Sequence, residues 1–276
     1  MNLVVQGPAL AAGDLDALAL LAKPQAVREI APRAFRLTGA LKNEGIAPLC
    51  EARRIDHAWM EEGRRFESLK LLAMDMDSTL ITMETIDELG DLAGKKAEIA
   101  AITEQAMRGE IEYRESLRRR VKALAGLPES SLQEIYDQRL KLTPGAEALI
   151  AACKQHSVQL LLVSGGFTFF TERLKQRLGL HHTTSNVLEV KDGKLTGALV
   201  GEIVDADAKA AKFRQVQAGL KARREQTVAI GDGANDLKMM AEAGLSVAFR
   251  AKPVVRAEAS CALNWTGLDG VVNLFE

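Results

Sequence analysis

From Leu69 onward, short apolar runs alternate with helix-forming stretches, and this alternation limits the fold more tightly than any other property of the chain. Leu69–Asp75, Val158–Val163, Thr227–Ile230 and Leu245–Phe249 read as strands, with Cys261–Trp265 as a further short one. Thr143-Pro144 forms an N-cap and N1 pair that opens a helix to about His156. Further helices are expected from Ser164-Gly165-Gly166 to near Gly179, over Asp207–Ala222 and Asn235–Ala243, and from about Pro253. Val187–Val204 alternates around Lys191-Asp192-Gly193-Lys194, the pattern of a hairpin. Strands alternating with helices give a parallel sheet covered on both faces. Such sheets bind ligands beyond the carboxyl ends of their strands, near the point where strand order reverses. Asp75, Ser164 and Asp232 each follow a strand directly, so one cleft can collect them although they lie far apart in sequence.

Two segments break the alternation. From Glu84 to about Lys141 the chain is rich in helix formers, with breaks at Gly94, Gly109 and Gly126-Leu127-Pro128. An all-helical insertion directly after a first strand reads as a lid. Residues 1–68 differ again, with an apolar run at Leu3–Gln6, helical spacing over Asp14–Ala22 and a strand at Ala34–Thr38. Ala40–Ser68 then turns polar, carrying Arg53, Arg54, Glu61, Glu62, Arg64 and Arg65. We read residues 1–68 as a small accessory domain ending in a helical, charged connector.

Composition mainly excludes. Of 276 residues, 47% are hydrophobic and 26% charged, ordinary values for a packed globular chain. Lys and Arg total 36 against 37 Asp and Glu, and the net charge of -1 offers no general attraction to nucleic acid or to an anionic membrane. Charges or glycines interrupt every apolar stretch, and Met1–Leu10 lacks a secretory pattern, so the expected location is the cytoplasm. Cys50, Cys153 and Cys261 suit neither a disulfide framework nor a metal site and are expected as buried, reduced thiols.

The chemistry concentrates in the polar strand ends. Asp75 and Asp77 stand two apart where the first strand ends, so both carboxylates can approach one phosphorus while the chain turns away. Two adjacent carboxylates repel each other and would repel phosphate, which implies a hard cation with oxygen ligands, such as Mg²⁺. With the cation present, Asp75 can attack as a nucleophile, and Asp77 can protonate a leaving alcohol and later deprotonate water. Alone, an Asp-x-Asp-x-Thr string is equally a solvated turn. Gly231-Asp232-Gly233-Ala234-Asn235-Asp236 supplies a second acidic cluster at a strand-to-helix junction, where the bland reading is a turn with a capped helix. Paired with the first cluster, Asp232 becomes a further metal ligand, supported from behind by Asp236. Ser164-Gly165-Gly166 offers backbone N–H groups and a hydroxyl to a phosphate. Lys209 could add a positive charge, with Lys212 one turn on as its rival.

Asp75-Met76-Asp77-Ser78-Thr79, Ser164-Gly165-Gly166, Lys209 and Gly231-Asp232-Gly233-Ala234-Asn235-Asp236 appear in the order of the four motifs of the haloacid dehalogenase (HAD) superfamily. Over about residues 69–276 the chain resembles the phosphoserine phosphatases of that superfamily. The resemblance implies a HAD-like Rossmannoid, three-layer α/β domain with a helical cap at about residues 83–141. It implies Asp75 as aspartyl nucleophile and Asp77 as general acid/base. Mg²⁺ is then expected on the Asp75 carboxylate, the Asp77 main-chain carbonyl and Asp232, with Thr79 and Asp236 in support. Ser164, Gly165 and Lys209, rather than Lys212, become the phosphate-binding set, with Asn235 near substrate and attacking water. Glu84 and Arg120, ordinary helix-surface charges by themselves, match positions that hold the amino and carboxylate groups of serine. One anion and one cation suit a zwitterion, and Arg can fork a carboxylate. Met74 and Met76 stand where Phe is frequent, and Tyr113 where Phe is common beside the substrate. Residues 1–68 resemble the accessory region of bacterial members, in which an ACT-like fold occurs, with dimerisation or stabilisation as its role.

The expected activity is therefore hydrolysis of the small phosphate monoester O-phospho-L-serine, the last step of serine biosynthesis. Sequence leaves open a phosphotransferase that passes the group to homoserine or a similar alcohol. A binding protein that keeps the fold without turnover is the third reading, and the paired acidic groups argue against it.

Overall fold

The computed structural model describes all 276 residues. The N-terminal segment holds β1 (Asn2–Gln6), α1 (Ala12–Ala22), β2 (Ala26–Ala31), β3 (Ala34–Thr38), α2 (Ile46–Arg53) and β4 (Asp56–Met60). Its four strands pair antiparallel in the order β2-β3-β1-β4, the arrangement of a split β-α-β plait. The two-residue period of β1 explains both faces. Leu3 and Val5 pack with Leu18 and Ala22 of α1 and with Ile46 and Cys50 of α2. Val4 points the other way and joins Ala58 and Met60 in the main core.

The helical connector expected over Ala40–Ser68 is corrected here, because that stretch contains both α2 and β4. In β4 the buried positions Asp56, Ala58 and Met60 alternate with half-buried His57 and Trp59. An Asp and an Ala among them, flanked by Arg and Glu, hide the strand period. β2 carries no strand signal in the sequence, since Ala-Val-Arg-Glu is an exposed edge with no apolar face.

Asp56 ties this segment to the end of the chain. Its buried carboxylate accepts from the backbone N–H groups of Asn264 (2.6 Å) and Thr266 (2.9 Å), from Trp265, and from the Thr266 hydroxyl (2.8 Å). Arg36 adds a bond from Nη2 to the Phe275 carbonyl at 2.6 Å. Asp56→Ala strands several buried donors at once, so a loss of about 2 kcal/mol or more in urea unfolding is expected. A change under about 0.5 kcal/mol would show that the junction contributes nothing to stability.

β5 (Leu71–Met74) starts the main sheet, and the chain leaves it at once for the cap: α3 (Thr85–Leu92), α4 (Lys96–Met107), α5 (Tyr113–Lys122) and α6 (Ser130–Gln138). The breaks fall at Gly94, Gly109 and Gly126, whose φ values of +65°, +76° and +85° favour glycine. The chain returns through α7 (Ala146–Gln155), β6 (Gln159–Phe167), α8 (Thr168–Leu178), β7 (His182–Lys191) and β8 (Lys194–Val200). It continues through α9 (Ala206–Gly219), β9 (Thr227–Gly231), α10 (Leu237–Glu242), β10 (Leu245–Phe249), α11 (Pro253–Glu258) and β11 (Cys261–Leu263).

The seven strands run β11-β10-β9-β5-β6-β7-β8, all parallel except the β7-β8 hairpin. On β5, Leu71 and Ala73 face α9, α10 and α11, while Leu72 and Met74 face α7 and α8, giving three layers. Strand order reverses between β5 and β9, so the switch point lies between Asp75 and Asp232. No helix is long and apolar enough to cross a membrane. The three cysteines are free and buried.

Several boundaries differ from expectation, among them β7, which starts at His182 rather than Val187, and two helix starts. The helix after Thr143-Pro144 starts at Ala146 rather than at Pro144, after Gly145 at φ +82°, and no side chain caps it. Ser164-Gly165-Gly166 continues β6 through an irregular register, and α8 starts only at Thr168.

Candidate active site

The Asp75 N–H still follows β9, donating to the Ile230 carbonyl at 3.0 Å. The chain then makes a wide, kinked turn over Met76–Leu80, extended at Asp77 and left-handed at Ser78, whose φ is +56°. Two contacts hold that conformation, the Ser78 N–H on the Met83 carbonyl at 3.2 Å and its hydroxyl on Glu84 Oε1 at 2.6 Å. The turn separates the two carboxylates. Asp75 Oδ1 accepts from Lys209 Nζ at 2.7 Å. Asp77 accepts from the Thr85 N–H at 3.3 Å and its hydroxyl at 3.1 Å, at the start of the cap.

At the end of β9, Thr79 Oγ1 donates to Asp232 Oδ1 at 3.1 Å. Asp236 is fully buried, taking Lys209 Nζ at 2.7 Å on one oxygen and the Gly233 N–H at 3.1 Å on the other. Gly231 lets the chain pass there, since a β-carbon at that position would collide with the Asp236 side chain. Carboxylate oxygens of Asp75, Asp232 and Asp236 lie within 4.8 Å of one another. Asp236, expected as support, thus sits in the acidic trio itself, and the Asp77 side chain lies outside it.

Burial, then Asp236, pushes the Asp75 carboxyl well above the usual range, with Lys209 only partly opposing. Burial, Glu84 and Asp75 raise Asp77 likewise. Burial and Asp236 raise Asp232 to about 6. Burial works against the Lys209 ammonium, but Asp236 and Asp75 outweigh it and hold the charge. One buried cation therefore faces three acids. An all-oxygen donor set with unrelieved negative charge fits a hard divalent cation.

A cavity of about 790 Å³ separates this cluster from the cap. Of the expected site residues, Asp75, Asp77, Glu84, Arg120, Gly165, Asp232 and Asn235 line it. Ser164, Lys209, Thr79 and Asp236 are buried behind its wall. Ser164 Oγ accepts the Gly166 N–H at 2.8 Å, which fixes the loop. Helix α5 presents Tyr113, Ser116, Leu117 and Arg120 to the cavity at i, i+3, i+4 and i+7. Ser116 Oγ and Arg120 Nε are buried there without partners in the protein, which suits them to a bound polar ligand.

Sequence reasoning missed three supporting groups. Buried Asn186 donates to the Gly165 carbonyl and accepts the Val204 N–H, both at 2.8 Å, so it sets the glycine loop. Nothing marks one Asn in a polar hairpin strand. Asp205 caps α9, accepting the Ala208 N–H at 3.0 Å, and takes Arg114 Nε of the cap at 2.6 Å. The helix that carries Lys209 is thereby bonded to the cap.

Comparison with known proteins agrees with this geometry. A family model described as haloacid dehalogenase-like hydrolase matches residues 72–241, and one described as a domain of unknown function (DUF4072) matches residues 3–46. A phosphoserine phosphatase of Polaromonas sp. is 53% identical over 215 residues, covering 76% of this chain and 91% of that protein. A crystal structure of a probable phosphoserine phosphatase from Vibrio cholerae superposes with a TM-score of 0.87 at 35% identity, over 99% of this chain and 86% of that one. A substrate-bound phosphoserine phosphatase complex superposes at 0.71 with 38% identity, over 75% of this chain and 99% of that one. With its acidic trio at the switch point of a capped parallel sheet, the chain belongs to the phosphoserine phosphatase family of the haloacid dehalogenase-like hydrolases.

Proposed function

We propose that this chain hydrolyses O-phospho-L-serine to L-serine and phosphate through an aspartyl-phosphate on Asp75. The observation that carries the reading is one cavity with Asp75, Asp77 and Asp232 at its floor and Glu84 and Arg120 at its cap side. Mg²⁺ on the Asp75 carboxylate, the Asp77 carbonyl and Asp232 would neutralise the charge that otherwise repels a phosphate ester. Asp75 attacks phosphorus as the serine Oγ–P bond breaks, and Asp77 gives its proton to the departing Oγ. Asp77 then takes a proton from water, which opens the acyl phosphate and returns Asp75 as a carboxylate. The raised Asp77 carboxyl supports its holding that proton. Lys209 fixes the Asp75 oxygen not used in attack, and Ser164 with the Gly165 backbone binds the phosphoryl oxygens. Asn235 lies on the cavity wall beside them. Glu84 takes the ammonium and Arg120 the carboxylate of the serine portion. We assign residues 1–68 as an ACT-like accessory domain that stabilises the cytoplasmic enzyme or pairs two copies, a reading supported by its plait and by the Asp56 bonds.

The test is a phosphatase screen with Mg²⁺ over phosphoserine, phosphothreonine, phosphoethanolamine and sugar phosphates, with Arg120→Ala beside wild type. Removing a charge-paired group costs about 2–5 kcal/mol, so kcat/KM on phosphoserine is expected to fall roughly 100-fold. Phosphoethanolamine, which has no carboxylate, should change little. Equal loss on both would remove the amino-acid assignment.

A further inference from the structure

We infer that the Tyr113 hydroxyl is a cap-borne binding group for the phosphoryl oxygens of the substrate, an assignment that rests on the phosphatase reading above. Tyr113 opens α5 and lies on its cavity face. Its hydroxyl reaches across the cavity to the glycine loop of the sheet, so close to Gly165 that a β-carbon there would collide with the phenol oxygen. The same point lies 4.0 Å from Asn235 Nδ2. Tyr113 therefore touches the phosphoryl end of the cavity, while Arg120 of the same helix face stands two turns further along.

The hydroxyl has no hydrogen bond within the protein: the influences that reach it are burial and the charges of Lys209, Arg120, Asp75 and Asp236. The Gly165 carbonyl is already engaged by Asn186 Nδ2. The residue is half-buried on the cavity face, which leaves its donor free for a ligand there. Burial raises its pKa further, so it stays a donor at neutral pH. A phosphoryl oxygen held at the Gly165 loop would lie within reach of this donor. Because the donor sits on the cap, its bond is made only with the cap down, and an occupied phosphate site favours closure.

Tyr113→Phe removes one oxygen and breaks no bond of the free protein. With Mg²⁺ present, KM for phosphoserine and for p-nitrophenyl phosphate is expected to rise by the same factor, roughly tenfold, as for loss of one hydrogen bond to a charged group. Inorganic phosphate should bind the variant weaker by a similar factor in calorimetry, and Tm should not fall. Unchanged phosphate affinity overturns the inference, and so does a loss confined to phosphoserine. If wild type hydrolyses none of the esters, the phosphatase reading fails instead, while the phosphate titration still decides the role of Tyr113.

Discussion

Asp75→Asn is expected to lose at least about 10,000-fold in kcat and yet to unfold at a higher temperature than wild type when metal is absent. The loss follows from chemistry: a carboxamide of the same shape cannot take the phosphoryl group as an acyl phosphate. The gain follows from the site. In the metal-free fold Asp75 is buried within 4.8 Å of Asp232 and Asp236, and its pKa is raised despite Lys209. A raised carboxyl costs nothing while it is protonated. The cost develops as pH rises from the unfolded pKa through the folded one, and the Asn variant escapes it. The Tm difference between metal-free variant and wild type should therefore widen as pH rises above about 4. Lys209 keeps Asp236 at 2.7 Å, so the variant leaves no buried ammonium unpaired. Added Mg²⁺ should narrow the difference, because a ligand that binds the native state stabilises the stronger binder more. Turnover within tenfold of wild type would remove Asp75 as nucleophile.

How much of this was legible depended on where each signal lay. β9 and β10 are buried on both faces, and their continuous apolar runs mark them within a residue of where they stand. The cap showed itself through helix formers broken by glycines at positive φ. β2 and β4 were hidden because an exposed edge and a buried Asp carry no apolar alternation. The glycines after Ser164 suggest a helix start, yet glycine also tolerates the irregular pairing of β6 with β7, and that pairing won. Within α9, Lys209 falls on the face of buried Phe213 and Val216, at i+4 and i+7, whereas Lys212 is only half-buried and donates to Gln215. That periodicity separates the two lysines without any relative. The Asn186 and Asp205 contacts join segments distant in sequence, and no local pattern announces them.

Lys209→Met is expected to destabilise the fold by about 3–5 kcal/mol, the usual consequence of removing one partner from a buried ion pair. The Lys209 side chain is fully enclosed, with Nζ at 2.7 Å from both Asp75 and Asp236. Met keeps the length of the side chain and removes the charge, so packing is a minor part of the effect. What remains is two acids in a dry site beside Asp232, with no cation among the protein's own groups. Asp75, whose carboxyl burial and Asp236 already raise, can relieve the repulsion by taking up a proton, so the deficit should shrink as pH falls toward the carboxylate range and be largest near neutrality. Urea unfolding in a chelator reads it directly. Adding Asp236→Asn to Lys209→Met removes one of the stranded charges, and about 1 kcal/mol or more should be recovered relative to the sum of the single variants. Additive losses, or a single-variant deficit under about 1 kcal/mol, would mean that the Lys209 ammonium is not what holds this pair of acids in the fold.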